Sequence, residues 1–264
     1  MNSQNGHILL LAGTEQARLI ANFIFNDLNY KNCTISFAGA TQFTRSLSLD
    51  PVFYSQNNIN IGGFGGIQGL ENFLKSYKTK LIIDATHPFA QQIKNHATEA
   101  SKKLKIQLVR FEREAWTKQK DDQWLECHSI EEAINLVRNQ PETHIFLTIG
   151  KRFISDFNTI SNKSFLVRTI DPYCQFIKFK NCTFITGFPP FALIAEKELM
   201  SQYKIETLVT KNSGGQASYN KIIAARELGI KVIMISQPKV IPNNTCFLSV
   251  LEIISWLKKN FFKI

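Results

Sequence analysis

Short apolar runs that alternate with helix-like segments are the feature that most constrains this fold. Residues 7–11 are His-Ile-Leu-Leu-Leu, and residues 81–83 are Leu-Ile-Ile. Such short runs without polar alternation are typical of strands buried on both faces. Segments with helical apolar spacing follow them at 16–28 and 89–104. The repeated order of strand and helix predicts an α/β architecture with parallel sheets.

The alternation occurs twice along the 264 residues. Residues 112–123 are charged and, apart from Trp116, lack periodicity, so we interpret them as a link between domains. We therefore predict two Rossmann-like αβα domains: a dinucleotide-binding domain over 1–115 and a second α/β domain over 116–264 that contributes substrate binding. Tandem domains commonly bind ligands between them, which predicts an active-site cleft there.

A polar cluster follows the second of these apolar runs, at residues 84–89 (Asp-Ala-Thr-His-Pro-Phe). Ligands of open α/β sheets bind at the carboxyl ends of strands. We expect Pro88 in the first turn of the next helix. Asp84, Thr86 and His87 would then surround N–H groups that favour anions. A loop with a capping threonine and no ligand explains the same residue types about equally well.

A glycine turn follows the first strand, as in nucleotide-binding βα units. Its sequence is Ala12-Gly13-Thr14-Glu15, and of the full GxGxxG pattern only Gly13 is present. The backbone N–H groups of this turn and the Thr14 hydroxyl are candidates to hold a pyrophosphate. Arg18, one helical turn later, is a candidate phosphate ligand, although a solvated helix face explains it equally well.

The loop after the second predicted strand bears on the choice of cofactor. Dinucleotide folds place an acid there for a ribose hydroxyl, or Ser, Thr and Arg for a 2′-phosphate. Thr41 and Arg45 lie in this loop and no acid does, which favours NADPH, with NADH as the alternative. A glycine cluster further along, with Gly65 and Gly66, allows either a close approach to the cofactor or a flexible turn.

The net charge of the chain indicates which class of ligand it binds. Lys and Arg number 31 against 21 Asp and Glu, a net charge of +10, and no nucleic-acid-binding motif is recognisable. This favours a small, highly anionic ligand, with a generally basic protein as the alternative.

Five scattered cysteines without a CxxC pair predict reduced thiols and no metal site. No apolar run approaches about 20 residues and no signal peptide is recognisable, so we expect a cytoplasmic protein that binds no membrane.

Two loop sequences carry most of the similarity to a known family: Asp-Ala-Thr-His-Pro-Phe-Ala at 84–90 and Thr-Lys-Asn-Ser-Gly-Gly at 210–215. Further matching stretches lie at residues 10–15, 62–66, 110–116, 146–150, 209–210, 224–229 and 232–238. Together, and in this order, they resemble the precorrin-6A reductase family of corrin biosynthesis. The chain departs from the family at Ala12, where glycine is usual, and at 188–191, where Phe-Pro-Pro-Phe replaces Gly-Pro-Phe.

The resemblance implies reduction of a C=C bond in a tetrapyrrole macrocycle. In this family hydride passes from a reduced nicotinamide to C19 of precorrin-6A, and a proton is added at C18 to give precorrin-6B. The many carboxylates of such a substrate agree with the basic composition of this chain. The metal-free and cobalt-containing forms of the substrate stay open at this point, as does a hand-over of the product to another corrin-pathway enzyme.

Local chemistry and the resemblance together nominate the site residues. Lys211, beside a glycine-rich turn, is a candidate proton donor or carboxylate ligand, and His87 is the other titratable candidate. For Asp84 the simplest role is to brace its own loop. The residues predicted to bind the cofactor are Gly13, Thr14, Glu15, Arg18, Thr41, Arg45, Gly65, Gly66, Asp84, Ala85 and Thr86. Those predicted to bind the anionic tetrapyrrole are His87, Pro88, Phe89, Lys151, Lys211, Ser213, Gly214 and Gly215.

Other functions stay open at this point. A nicotinamide-binding sensor, or a reductase of another anionic small molecule, would keep the first domain, but the sensor would not need residues 211–215. A methyltransferase that uses S-adenosylmethionine could begin with the same βα unit, yet the expected ribose-binding acid is absent. A nucleic-acid-binding protein predicts an affinity that falls steeply with salt.

Overall fold

Two compact units make up the chain in the computed structural model, which describes residues 6–37, 59–170, 179, 181–238 and 245–264. The first unit comprises Met1–Arg113 together with Lys239–Ile264, and the second comprises Glu114–Pro238. The division between the units therefore falls inside the segment that was predicted to link them.

Parallel strands and flanking helices form the first unit. In chain order they are β1 (His7–Leu11), α1 (Glu15–Asn22), β2 (Cys33–Phe37), β3 (Ile59–Ile61), α2 (Gly66–Ser76), β4 (Thr79–Asp84), α3 (Gln91–Leu104) and β5 (Gln107–Phe111). A π-helical segment over Phe23–Asp27 continues α1. The helices predicted at 16–28 and 89–104 are thereby confirmed, whereas strand β3 was not predicted.

The second unit repeats the alternation. Its elements are β6 (Trp124–Cys127), α4 (Ile130–Asn139), β7 (His144–Thr148), a 3-10 helix (Lys151–Thr159), β8 (Ser164–Thr169), β9 (Cys182–Thr186), α5 (Leu193–Gln202), β10 (Thr207–Lys211), α6 (Asn220–Glu227) and β11 (Lys231–Ile235). Its strands are parallel and stand in the order β6-β11-β10-β7-β8-β9. The strand order reverses between β7 and β10, because β7 leads to β8 on one side and β10 leads to β11 on the other.

The C-terminal segment returns to the first unit as β12 (Thr245–Phe247) and α7 (Val250–Trp256). β12 pairs in parallel with β5, and Ile253 and Leu257 are fully buried in the same cluster as Ile8 and Leu10. The prediction that 116–264 forms one domain is therefore wrong for the residues after Pro238. Which sheet this helix covers depends on packing between distant segments, which a local sequence pattern does not indicate.

The completed sheet of the first unit has the order β12-β5-β4-β1-β2-β3, with all pairs parallel. This is the strand order of a dinucleotide-binding fold, and it reverses between β1 and β4. Ile8 and Leu10 pack on one face of the sheet, and Leu9 and Leu11 pack on the other. Burial on both faces explains the unbroken apolar runs and confirms the predicted parallel α/β architecture.

The longest helix named above, α3, has 14 residues and is amphipathic. Within the described ranges, no helix is both long enough and apolar enough to cross a bilayer.

Candidate functional site

The loops after β1 and β4 meet at the point where the strand order of the first sheet reverses. The backbone N–H of Ala85 donates to the carbonyl oxygen of Leu11 at 3.0 Å, and the Thr14 hydroxyl donates to the carbonyl oxygen of Ala85 at 2.7 Å. Ligands of open α/β sheets bind at such reversal points. The structure thereby brings together two predicted cofactor-binding loops that are about 70 residues apart in sequence.

Helix α1 begins beside this junction and offers an anion-binding end. Gly13 has φ of +125°, a conformation that disfavours other residues, and the turn leads directly into the helix at Glu15. The free N–H groups of a first helical turn and the helix dipole attract phosphate. This geometry fits the pyrophosphate of a dinucleotide, and the contact would come from the backbone.

The Thr14 side chain is occupied by structural hydrogen bonds. Besides donating to Ala85, its oxygen caps α1 by accepting from the N–H of Ala17 at 3.2 Å. The single hydroxyl hydrogen is therefore already used. The expectation that this hydroxyl holds a pyrophosphate needs correction: Thr14 positions the turn, and its side chain does not offer a donor to a ligand in this arrangement.

Glu15 and Arg18 lie on the surface of α1. Their side chains are about half exposed and approach one another to 3.9 Å, as expected for residues three apart on a helix. Arg18 thus stands near the helix end, within reach of solvent. Its predicted role as a phosphate ligand stays a prediction.

Arg113 is a candidate that the sequence reasoning missed. Its Nη2 donates to Oε1 of Gln16 on α1 at 2.6 Å, and its buried Nε has no hydrogen-bond partner among the described residues. Burial lowers the pKa of this guanidinium, and the charge of Glu15 opposes the shift. A half-buried cation beside the α1 end suits a phosphate. The signal that could have found it is its place two residues after a strand end at the same sheet edge.

Asp84 lies at the end of β4 in a buried network of charges. Its Oδ1 accepts from the N–H and the hydroxyl of Thr86 at 3.1 and 2.6 Å, and its Oδ2 accepts from Nε of Arg110 at 3.0 Å. Lys94 lies 3.6 Å from the same Oδ2 and 3.4 Å from Oε1 of Glu112. The two acids and two bases balance one another, which is what makes their burial tolerable.

This network determines the role of Asp84 and Thr86. The Asp84 side chain has no exposed surface, and both of its oxygens are engaged. Direct binding of a cofactor by the carboxylate therefore does not fit the structure, whereas the bracing role does. Thr86 and Ala85 lie on the loop that this network holds in place.

His87, Pro88 and Phe89 form a turn ahead of helix α3. The N–H of Ala90 donates to the carbonyl oxygen of His87 at 2.8 Å, and α3 begins only at Gln91. The prediction of Pro88 in the first helical turn is therefore wrong, because this turn separates the proline from the helix. The N–H of Phe89 donates to Nδ1 of His87 at 3.2 Å, so a neutral ring carries its proton on Nε2.

The glycine cluster lies after β3, the edge strand of the first sheet. Gly65 and Gly66 have φ of +78° and +85°, conformations that glycine adopts readily. Gly69 in α2 lets the helix pack on the backbone of Phe64, because a Cβ there would lie 1.5 Å from the Phe64 carbonyl oxygen. Thr41 and Arg45, the residues predicted to select the cofactor, fall outside the described residues.

The reversal point of the second sheet gathers three basic side chains. Lys151 and Arg152 follow β7 and are exposed, and Lys211 ends β10, which pairs with β7. The Lys211 Nζ lies 4.2 Å from the centre of the Phe153 ring. Burial, and secondly the charge of Arg152, lowers the pKa of Lys211 to about 8. Lys151 and Lys211 thus lie at the carboxyl ends of neighbouring strands, and their predicted role in substrate binding stays a prediction.

The loop after β10 is held from one side by Trp116. The Asn212 side chain accepts from the Trp116 N–H and donates to the Trp116 carbonyl oxygen, both at 2.8 Å. The Trp116 indole N–H donates to the carbonyl oxygen of Gly215 at 2.9 Å. Gly214 and Gly215 have φ of +62° and +74°, and Ser213 lies 3.4 Å from the Ser218 hydroxyl. Trp116 and Asn212, neither of them predicted, position the predicted Ser213, Gly214 and Gly215.

Comparison with known proteins tests the resemblance drawn from these loops. A family model described as Precorrin-6x reductase CbiJ/CobK matches residues 7–258. A precorrin-6A reductase of a Sinorhizobium species is 35% identical, over 88% of this chain and 85% of its own length. One from Rhodococcus erythropolis is 35% identical, over 95% of this chain and 96% of its own length.

A solved structure agrees with these sequence matches. The structure of a CobK precorrin-6A reductase has a TM-score of 0.84 and 30% identity to this chain, and covers 96% of this chain and 97% of its own. Because the family model and both relatives span most of the sequence, the resemblance is confirmed. This chain belongs to the Precorrin-6x reductase CbiJ/CobK family.

Proposed function

We propose that this protein is a reductase of cobalamin biosynthesis that reduces one C=C bond of precorrin-6A, or of its cobalt form, to give precorrin-6B. The observation that carries the proposal is that one chain contains two different reversal points. The first has the strand order and glycine turn of a dinucleotide site, and the second carries Lys151 and Lys211 at the ends of the paired strands β7 and β10.

The first unit is proposed to bind NADPH. The backbone of Gly13 and the first turn of α1 would hold the pyrophosphate, with Arg113 and Arg18 as phosphate ligands and Thr14 and Asp84 fixing the two loops. The unpartnered buried Nε of Arg113 supports an anion at this place. When bound, the reduced nicotinamide supplies the hydride for C=C reduction.

Further residues complete the proposed cofactor site. Gly65 and Gly66 would contact the dinucleotide through their backbone, Ala85 and Thr86 would line its site, and Thr41 and Arg45 would bind the 2′-phosphate. Replacing Arg45 by Ala would test the last contact. We expect this variant to lose its preference for NADPH over NADH, whereas an unchanged preference would contradict the assignment.

The second unit is proposed to bind the substrate. A tetrapyrrole with many carboxylates would be attracted by the net charge of +10 and held by Lys151, Lys211 and the donors of Ser213, Gly214 and Gly215. His87, Pro88 and Phe89 are the corresponding candidates in the first unit. Charge attraction speeds capture, but the chemical step depends on how the acceptor carbon is oriented.

Lys211 is our proposed proton donor to C18. With a pKa near 8, the amine is mostly protonated at pH 7 and is a stronger acid than an ordinary lysine. His87, which carries a proton on Nε2 in its neutral form, is the second candidate. A dependence of kcat on pH near 8 that disappears when Lys211 is replaced would identify Lys211 as the donor.

The first experiment mixes the purified protein with NADPH and precorrin-6A and follows absorbance, with NADH and the cobalt form in parallel. Consumption of reduced cofactor together with a tetrapyrrole reduced by two electrons would support the proposal, and the faster pair would identify cofactor and substrate. Binding of NADPH without reduction of either macrocycle would overturn it and favour a sensor or another reductase.

We place this reaction in the cytoplasm and propose that precorrin-6B passes to a later enzyme of the corrin pathway. The hand-over can be tested in a coupled assay with that enzyme, by adding an excess of a protein that binds free precorrin-6B but does not convert it. Direct transfer would leave the coupled rate unchanged, whereas release into solution would let the added protein lower it.

A further inference from the structure

Lys221 is a buried lysine that the proposed reaction does not use. It lies in α6, the residue is 7% exposed, and its Nζ lies 5.4 Å from the centre of the Trp116 ring. Within the part of the chain that the structure describes, this amine makes no hydrogen bond and no ion pair. Burial lowers its pKa to about 8, with Glu196 opposing the shift and Arg168 adding to it. Burying a charge without a partner is unfavourable, so the position needs an explanation.

The carboxylate that acts on Lys221 is already bound by another cation. Nη1 and Nη2 of Arg168 donate to the two oxygens of Glu196 at 2.6 and 2.7 Å, in a bidentate pair. The Glu196 side chain is 1% exposed. Lys221, Arg168 and Glu196 thus leave one positive charge in excess in the interior of the second unit.

Aromatic rings lie beside both cations of this cluster: Trp116 lies beside Lys221, and two phenylalanines lie beside Arg168. The Arg168 guanidinium lies 4.0 Å from the centre of the Phe191 ring and 4.8 Å from that of Phe146. Such surroundings attract cations but cannot neutralise them, and they strengthen any ion pair formed there because they exclude water. An anion supplied from outside would therefore be bound strongly.

The cluster adjoins the loop that we propose to bind substrate. Trp116, which contacts Lys221, is hydrogen-bonded to Asn212 and to Gly215 in the loop after β10. Helix α6 follows that loop, and the Asn220 side chain donates to the carbonyl oxygen of Phe191 at 2.7 Å. Lys221 therefore lies beside the carboxyl edge of the second sheet.

We propose that Lys221 forms a separate subsite for one carboxylate of the anionic tetrapyrrole, with Arg168 and Glu196 fixing its electrostatic surroundings. This inference rests on the proposed function. A carboxylate at this place would pair with the amine and balance the excess charge of the cluster, through a charge-assisted hydrogen bond. Lys221 would contribute to affinity and orientation, whereas Lys211 would transfer the proton.

The test compares Lys221→Met with Lys197→Met as the matched control. Lys197 follows Glu196 on α5, but its side chain is exposed and pairs with Glu227, so K197M removes a lysine charge without removing a buried one. We expect K221M to bind precorrin-6A at least about tenfold more weakly, with a shallower dependence of affinity on salt. Its affinity for NADPH and the properties of K197M should match those of the wild-type protein.

Thermal unfolding separates the subsite from a purely structural role. If Lys221 binds substrate, the midpoint temperature of unfolding of K221M should equal or exceed that of the wild type, because an unpaired buried charge has been removed. A lower midpoint together with unchanged substrate affinity would overturn the proposal and assign Lys221 to the support of Trp116. If K221M does not fold, Lys221→Gln provides the same comparison without a charge.

The wild-type protein distinguishes a failure of this inference from a failure of the proposed function. If the wild type reduces precorrin-6A and K221M binds it as tightly as the wild type does, only the subsite is wrong. If the wild type reduces neither form of the macrocycle, the proposed function fails, and the subsite fails with it.

Discussion

The Thr14 hydroxyl donates to the carbonyl oxygen of Ala85 at 2.7 Å and thereby ties the loop after β1 to the loop after β4. The same oxygen caps α1. One side chain thus fixes both the helix end proposed to bind phosphate and the loop that continues to His87. These two hydrogen bonds give Thr14 a structural role at the junction of the two loops.

Replacing Thr14 by Ala should therefore weaken cofactor binding through the backbone. We expect about tenfold weaker NADPH binding, equivalent to about 1.4 kcal/mol, and a free energy of unfolding lower by about 1–2 kcal/mol. Titration of NADPH fluorescence and urea unfolding measure the two effects. Ser129→Ala is the control, because Ser129 caps α4 of the other unit in the same way. It should lose similar stability and keep NADPH affinity; equal NADPH affinity in both variants would contradict the role of Thr14.

Replacing Asp84 by Asn should strongly destabilise the protein. The substitution removes the carboxylate charge that faces the buried Arg110 and Lys94, which we expect to lower the free energy of unfolding by about 3–5 kcal/mol. Urea unfolding measures the loss. Glu227→Gln, which breaks an exposed pair with Lys197, should cost less than about 1 kcal/mol. Similar losses in the two variants would show that the buried network is not what holds the β4 loop.

His7 should make the protein less stable in acid. Its ring is buried between the hydroxyls of Thr79 and Thr34, at 2.8 and 2.9 Å, and burial lowers its pKa from 6.5 to about 4. Between those pH values the unfolded chain binds a proton that the folded protein does not, so stability falls as the pH falls through this window. The shift corresponds to about 3 kcal/mol at pH values below both pKa values.

Urea unfolding of the wild type and of His7→Asn between pH 7 and pH 4 isolates this effect. The difference between the two pH profiles should develop below about pH 6.5, with the wild type losing stability more steeply. Parallel profiles would show that His7 titrates alike in the folded and unfolded states.

Replacing Lys211 by Met should slow reduction without affecting the cofactor. We expect kcat to fall by about 10²- to 10⁴-fold if the amine donates the proton, with NADPH affinity unchanged. In the wild type, kcat should fall as the pH rises through about 8, because the amine loses the proton it must give. The variant should lose this limb of the pH profile. A raised KM with unchanged kcat would instead assign Lys211 to carboxylate binding and favour His87 as the acid.

Parts of the site could be predicted because they depend on local chemistry. Gly13, Gly65 and Gly214 all adopt positive φ, as expected of glycine in tight turns. Lys151 and Lys211 were predicted from strand ends, and the pairing of β7 with β10 places those ends side by side.

Other parts could not be predicted, because a residue type does not reveal its partners. Thr14 and Asp84 were among the residues predicted to bind the cofactor, yet their polar side-chain atoms form hydrogen bonds within the protein. Arg113 and Lys221 looked like ordinary basic residues, and only their burial without sufficient partners sets them apart. The number of hydrogen bonds that a side chain has left for a ligand is a property of the folded protein.

The sequence by itself determined most elements of this fold, though not the short edge strand β3, together with the alternation of strand and helix and the family, because periodicity, glycine turns and loop motifs are local signals. Only the tertiary structure decided the order of the strands, and with it which loops are neighbours. Ala85 meets Thr14, and the segment after Pro238 returns to the first sheet, because burying apolar faces selects pairings across long stretches of chain. These long-range pairings turn scattered loops into a candidate active site.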